Sequence, residues 1–113
     1  MYTLVPLSKK LEITHVVTAF DEMRPAGYFF SGEMHDFWEM LYVMEGTLSV
    51  TAEDRVLSLS RGQLLFHKPM EFHGLRTVGP APARAVVVSF SAQGEILRQF
   101  EGKEIRLDVQ EEE

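Results

Sequence analysis

Hydrophobic and polar residues alternate along this chain in one short segment after another, and the 3.6-residue spacing of an amphipathic helix is almost absent. Alternation of this kind sends successive side chains to opposite faces of an extended segment. It predicts strands over Ile13–Ala19, Gly27–Phe30, Trp38–Met44, Thr47–Thr51, Arg55–Leu59, Leu64–His67, Gly74–Thr77, Ala83–Phe90 and Glu104–Leu107. Between them stand the turn signals "EMRPAG", "MEG", "AED", "SRGQ", "KPME", "VGPAPA" and "AQG". Only Gly94–Phe100, "GEILRQF", brings Ile96, Leu97 and Phe100 onto one helical face. At about two turns, such a helix needs a sheet to dock on. Strands this short and this closely spaced leave no room for crossover helices. The expected fold is all-β and mainly antiparallel, a sandwich or barrel with at most one short helix.

The segment around Trp38–Met44 is apolar on both faces, with Met34, Trp38, Met40, Tyr42 and Met44 on the even side. One face of an antiparallel sheet normally meets water, so a two-sided strand needs a cover. The N-terminal "MYTLVPL", the segment near Ile96 and a second subunit are three candidates for it. Trp38 is expected on this outer face, as a packing or dimer contact.

A length of 113 residues makes this one domain, with no internal repeat or linker, and 45% hydrophobic residues are enough for a core. No apolar run approaches the ~20 residues that span a bilayer, and "MYTLVPLSKK" lacks the apolar stretch of a signal peptide. A cytoplasmic location is the default expectation. The absence of cysteine removes disulfides and thiolate chemistry, so any metal must be held by His and carboxylates. With 11 Lys and Arg against 17 Asp and Glu, a net charge of −6, the chain alone is a poor ligand for duplex DNA.

The stretch "GEMHDFWE" concentrates the candidate chemistry. Read as one continuous strand, it points Glu33, His35 and Glu39 to a single side, together with Phe37, Leu41 and Val43. A fourth group comes from "GQLLFHKPMEFH", where a short apolar strand and a Pro-containing turn lead to His73. Two imidazoles and two carboxylates suit Fe(II), Mn(II), Zn or Ni(II). Buried His and Glu can equally satisfy one another without a metal. Of the remaining histidines, His67 reads as a strand or rim residue and His15 as a surface one.

These residues carry a resemblance. Glu33-x-His35-x3-Glu39-x6-Gly46 resembles the first motif of the cupin superfamily, Gly-x5-His-x-His-x3-4-Glu-x6-Gly. Gly62-x6-Pro69-x3-His73 resembles the second motif. Glu33 stands where the first metal histidine is expected, and Glu71 where the second motif has its glycine. More narrowly, "HDFWEMLYVMEGTLSV", "LSRGQLLFHKPMEFHGLR" and "ARAVVVSF" look like the N-terminal sensor cupin of AraC-type transcriptional regulators.

The resemblance implies a double-stranded β-helix, a small jelly-roll barrel whose interior takes a small effector. The effector would contact His35, Phe37, Glu39, Leu41, Phe66 and His73, and a divalent metal would use His35, Glu39, His73 and Glu33. It also implies a homodimer, no catalytic residues, no membrane, and DNA contact only through a downstream helix-turn-helix domain absent from this chain. On this reading residues 1–12 form an N-terminal segment able to close over the ligand, 13–109 the barrel and short helix, and 110–113 an acidic tail. The alternative is a small metal-dependent cupin enzyme of dioxygenase or isomerase type.

Overall fold

The computed structural model describes residues 12–93 and 104–106. Among them run nine strands: β1 Glu12–Arg24, β2 Phe29–Glu33, β3 Trp38–Glu45, β4 Thr47–Ala52, β5 Arg55–Ser60, β6 Gln63–His67, β7 His73–Thr77, β8 Ala83–Gln93 and β9 Glu104–Arg106. Each expected strand is present, and no helix occurs among the described residues. Gly94–Phe100 lies outside them.

All pairings are antiparallel and fall into two sheets, a five-stranded one in the order β1-β8-β3-β6-β9 and a four-stranded one in the order β2-β7-β4-β5. No described ladder joins the sheets, so the molecule is a two-layer jelly roll rather than a closed barrel. The strand limits shift where pairing overrides local pattern. β1 runs on through the charged "FDEMR" to Arg24 because Phe20 to Arg24 stay in register with Val87 to Ala83. Gly27 is a turn residue with φ 79°, and β2 starts only at Phe29.

Period-two alternation puts Leu41 and Val43 of β3, Leu65 of β6 and Ala83, Ala85 and Val87 of β8 on the inner face of the larger sheet. There they meet Leu48 and Val50 of β4 and Leu59 of β5, and the nine form one buried cluster. Burying each Val or Leu contributes roughly 1.5–3 kcal/mol. Tight turns let the sheets close: at Gly46 (φ 76°) an added Cβ would sit 2.6 Å from the Pro82 carbonyl oxygen.

The outer face of the larger sheet is also apolar. Trp38 (5% exposed) and Phe90 (7%) face each other across the β3–β8 ladder, with Met40, Phe66, Val88 and Ala92 packed beside them. The same face continues onto the edge strand β1, where Ile13 and Val16 pair with Ala92 and Phe90 and are exposed.

At one end the inner face turns polar. Continuing β3 from Val43 and Leu41 gives Glu39, whose ladder partners are His67 on β6 and Ser89 on β8. On the opposite sheet Glu33 of β2 pairs with His73 of β7.

Candidate metal centre and its cavity

Glu33, His35, Glu39 and His73 converge at this polar end, each offering a donor atom within 4.8 Å of the others. They do not share one continuous strand. β2 ends at Glu33 in one sheet, β3 begins at Trp38 in the other, and Met34–Phe37 crosses between them. His35 is fixed in this crossing by its own carbonyl, which accepts from the Met70 amide at 2.7 Å. Convergence is therefore the work of two facing sheets and a pinned connection, and only positions 39, 41 and 43 obey the single-strand parity.

Both imidazoles are held in a defined tautomer. His35 Nδ1 donates to the Phe37 carbonyl oxygen (3.1 Å) and His73 Nδ1 to the Glu71 carbonyl oxygen (3.0 Å). Carbonyls only accept, so each Nδ1 carries the hydrogen, and each Nε2 of the neutral ring presents a lone pair. Both Nε2 atoms are buried and make no hydrogen bond. They face carboxylates all the same: His35 Nε2 is 3.4 Å from Glu39 Oε1 and 3.9 Å from Glu33 Oε1, and His73 Nε2 is 3.3 Å from Glu39 Oε2 and 3.7 Å from Glu33 Oε1. Lone pairs facing lone pairs leave a place for a cation.

The electrostatics carry the same signature. Burial pushes the Glu39 carboxyl up, but His73 beside it, with His67 and His35, outweighs this and holds it below the usual range. For His73 burial acts downward, yet the Glu39 contact, the Glu71 carbonyl and the charges of Glu39 and Glu33 raise it above the ordinary imidazole value. A proton on His73 therefore relieves the cluster in part.

A divalent ion fits these donors. Bonds of about 2.0–2.2 Å place two ligands of one ion at most roughly 4.4 Å apart, close to the 4.8 Å envelope found. Two nitrogens and carboxylate oxygens suit Mn, Fe, Ni or Zn. The backbone bonds at both Nδ1 atoms are the outer contacts that orient ligating imidazoles.

Other expected pocket residues divide. Phe37 stacks on His35 with ring centroids 4.0 Å apart and planes 6° from parallel, fixing the imidazole from one side. Leu41 belongs to the apolar core below the cluster. Phe66 lies on the outer face with Trp38 and Phe90, because the β3–β6 register pairs Met40 with Phe66 and Glu39 with His67. That register brings inward His67, which is fully buried and not a rim residue. His67 Nδ1 donates to Glu71 Oε1 at 2.8 Å, and its ring stacks on His73 with centroids 4.2 Å apart. Glu71, itself buried, thus holds His67 with its carboxylate and His73 with its carbonyl. It reaches both because the preceding Met70 turns the chain with a positive φ of 64°. The inward parity of Leu65 and His67 was the available signal for this pair.

A cavity of about 70 Å³ adjoins the cluster. The buried His67 and His73 and the partly buried Glu39 line one part of it. The edge strands β1 and β2 contribute Phe20, Arg24, Phe30 and Glu33, the turn between them Tyr28, and β7 and β8 add Gly74, Leu75 and Val87.

The family model described as cupin domain matches residues 20–89, more than half of the chain, and the chain belongs to this family. Solved structures agree on the fold. A protein from Thermus thermophilus superposes with a TM-score of 0.61 at 20% identity over 74% of this chain and 75% of that one. A predicted oxalate decarboxylase from Thermotoga maritima gives 0.65 at 16% identity over 67% of each chain. An RmlC-like cupin with a double-stranded β-helix fold from Methanocaldococcus jannaschii gives 0.62 at 15% identity over 80% of this chain and 87% of that one. No curated protein matches. Among the described residues, no helix is long and apolar enough to cross a membrane.

Proposed function

We propose that this cupin holds a divalent cation with Glu33, His35, Glu39 and His73 and binds a small molecule in the adjoining cavity. The observation that carries this reading is the pair of buried Nε2 atoms, oriented by backbone bonds and aimed at two carboxylates with no hydrogen-bond partner. A bound divalent ion would supply a Lewis-acid contact for a ligand oxygen. Glu33, the most exposed of the four, faces the cavity where that ligand would enter.

The output we assign to the occupied cavity is sensing. The wording of "HDFWE" and "KPMEFH" supports an effector domain of an AraC-type regulator, dimerised through an apolar surface and acting on DNA through a separate domain. The outer face around Trp38 and Phe90, continued by exposed Ile13 and Val16, is the surface that suits a subunit contact. A ligand shifts such a system only by binding its two states unequally. The second reading, a metal-dependent enzyme, is favoured by the direct access of the cavity to Glu33 and Glu39.

Metal analysis of protein purified without chelating resin tests the shared core of both readings. The expected result is close to one divalent ion per chain, lost in His73→Ala while the β-type circular dichroism persists. Protein that holds no metal, takes up none and gains no thermal stability from Mn(II), Zn(II), Ni(II) or Fe(II) would overturn it.

A further inference from the structure

Among the described residues that line the cavity, Arg24 is the only Lys or Arg. It sits at the end of β1, on the row that faces inward with Phe20 and Glu22, because these three pair with the buried Ala83, Val87 and Ala85 of β8. Its side chain is 26% exposed, its Nη1 is engaged by Glu22, and its guanidinium carbon lies 4.8 Å over the Tyr28 ring. Stacking on an aromatic face and an ion pair together fix a guanidinium in place. One partner at Nη1 leaves most of its five N–H donors for a ligand.

From this placement we infer that the cavity selects a small carboxylate, whose charged end is taken by Arg24 and whose other end reaches toward the Glu33/His35/Glu39/His73 cluster. The inference rests on the proposed metal reading of that cluster, because without a cation Glu33 and Glu39 would repel a ligand anion. Two carboxylates are neutralised by a divalent cation. A ligand monoanion then meets the guanidinium, which it shares with the half-exposed Glu22. The planar fork of Arg meets a carboxylate through two parallel hydrogen bonds. Inorganic phosphate would satisfy the charge as well, but Phe20, Phe30, Leu75 and Val87 supply apolar walls that suit a carbon skeleton. Size sets the scale: at about 30 Å³ per water, a 70 Å³ cavity holds the equivalent of about two waters. A ligand of two or three carbons suits a space of this size.

The test is calorimetric titration of the full chain loaded with Zn(II), using acetate and glycolate against the uncharged acetamide and glycolamide. Acetate and glycolate are expected to bind at least tenfold more tightly than their amides. Arg24→Gln should erase that preference, Arg24→Lys should recover part of it, and Glu22→Gln, which removes the competing carboxylate, should strengthen binding. The metal content of Arg24→Gln should equal that of the unmodified protein, so loss of carboxylate preference at full metal loading identifies Arg24 and not the cluster. Equal binding of acids and amides, undiminished preference in Arg24→Gln, or tighter binding of inorganic phosphate would overturn the inference. Failure of the unmodified chain to load metal would overturn the underlying metal reading instead.

Discussion

Replacing Glu71 by Ala removes the carboxylate that accepts from His67 Nδ1, in a pair whose side chains are only 2% and 4% exposed. An imidazole N–H is then left inside the protein beside a void. Removing one partner of a buried pair costs about 3–5 kcal/mol, of which an unsatisfied donor alone accounts for about 1–3. Because His67 also lines the cavity, water can reach its ring, which places the expected loss at the lower end, about 3 kcal/mol. In a chain of 113 residues each kcal/mol moves the melting temperature by roughly 4 °C, so Glu71→Ala should melt about 12 °C lower. The double replacement His67→Phe with Glu71→Met removes both polar partners at similar volume. It should stay within about 1 kcal/mol of the original protein, because no charge is left to desolvate. Urea unfolding followed by the fluorescence of the single tryptophan, Trp38, measures all three proteins. A Glu71→Ala loss below about 0.5 kcal/mol, the ordinary range of surface changes, would refute the reasoning. So would a double replacement as damaging as the single one.

The apo protein should be most stable near mildly acidic pH. The lowered Glu39 contributes fully above its ordinary value of 4.5 and loses its contribution as pH falls through its native value. The raised His73 contributes fully below 6.5 and loses its contribution as pH rises through its native value. The maximum therefore lies between about 4.5 and 6.5. A melting profile that rises steadily from pH 5 to 8 without metal would contradict this. Gly74→Ala should cost about 1–3 kcal/mol, because its Cβ would lie 2.8 Å from the Phe30 and Ser31 carbonyl oxygens and must push β2 away from β7. The same displacement separates Glu33 from His73, so metal affinity should fall in parallel. An unchanged melting temperature would show that β2 yields freely.

The strands were legible because each needs only a few alternating residues between turn signals, and pairing then corrects their ends. β1 could not be read past Ala19, since Asp21, Glu22 and Arg24 interrupt the alternation and only the ladder to β8 keeps them extended. That is also why Arg24 escaped notice. The cluster was legible as a set of donors, but its assembly was not: a strand through residues 33–39 looks continuous locally, and nothing in the sequence marks the change of sheet between Glu33 and Trp38. For the His67–Glu71 pair only the inward parity of His67 was available, as the turn at Met70 that brings Glu71 to it follows no period. Phe66 and His67 exchanged places because parity in β6 is set by its register with β3, which composition does not encode.

The origin of the four donors has a kinetic consequence. Glu33 and His73 belong to the β2–β7 edge of one sheet and Glu39 to the centre of the other, while His35 is set by a backbone bond to the β6–β7 connection. The full cluster exists only after the two sheets have closed on each other, which brings together residues distant in the chain. A cation specific to the finished cluster finds little to bind at the transition state, so its free energy appears on the unfolding limb. Metal loading should leave refolding rates nearly unchanged and lengthen the lifetime of the native state. The ion would act as a latch on a structure that assembles without it.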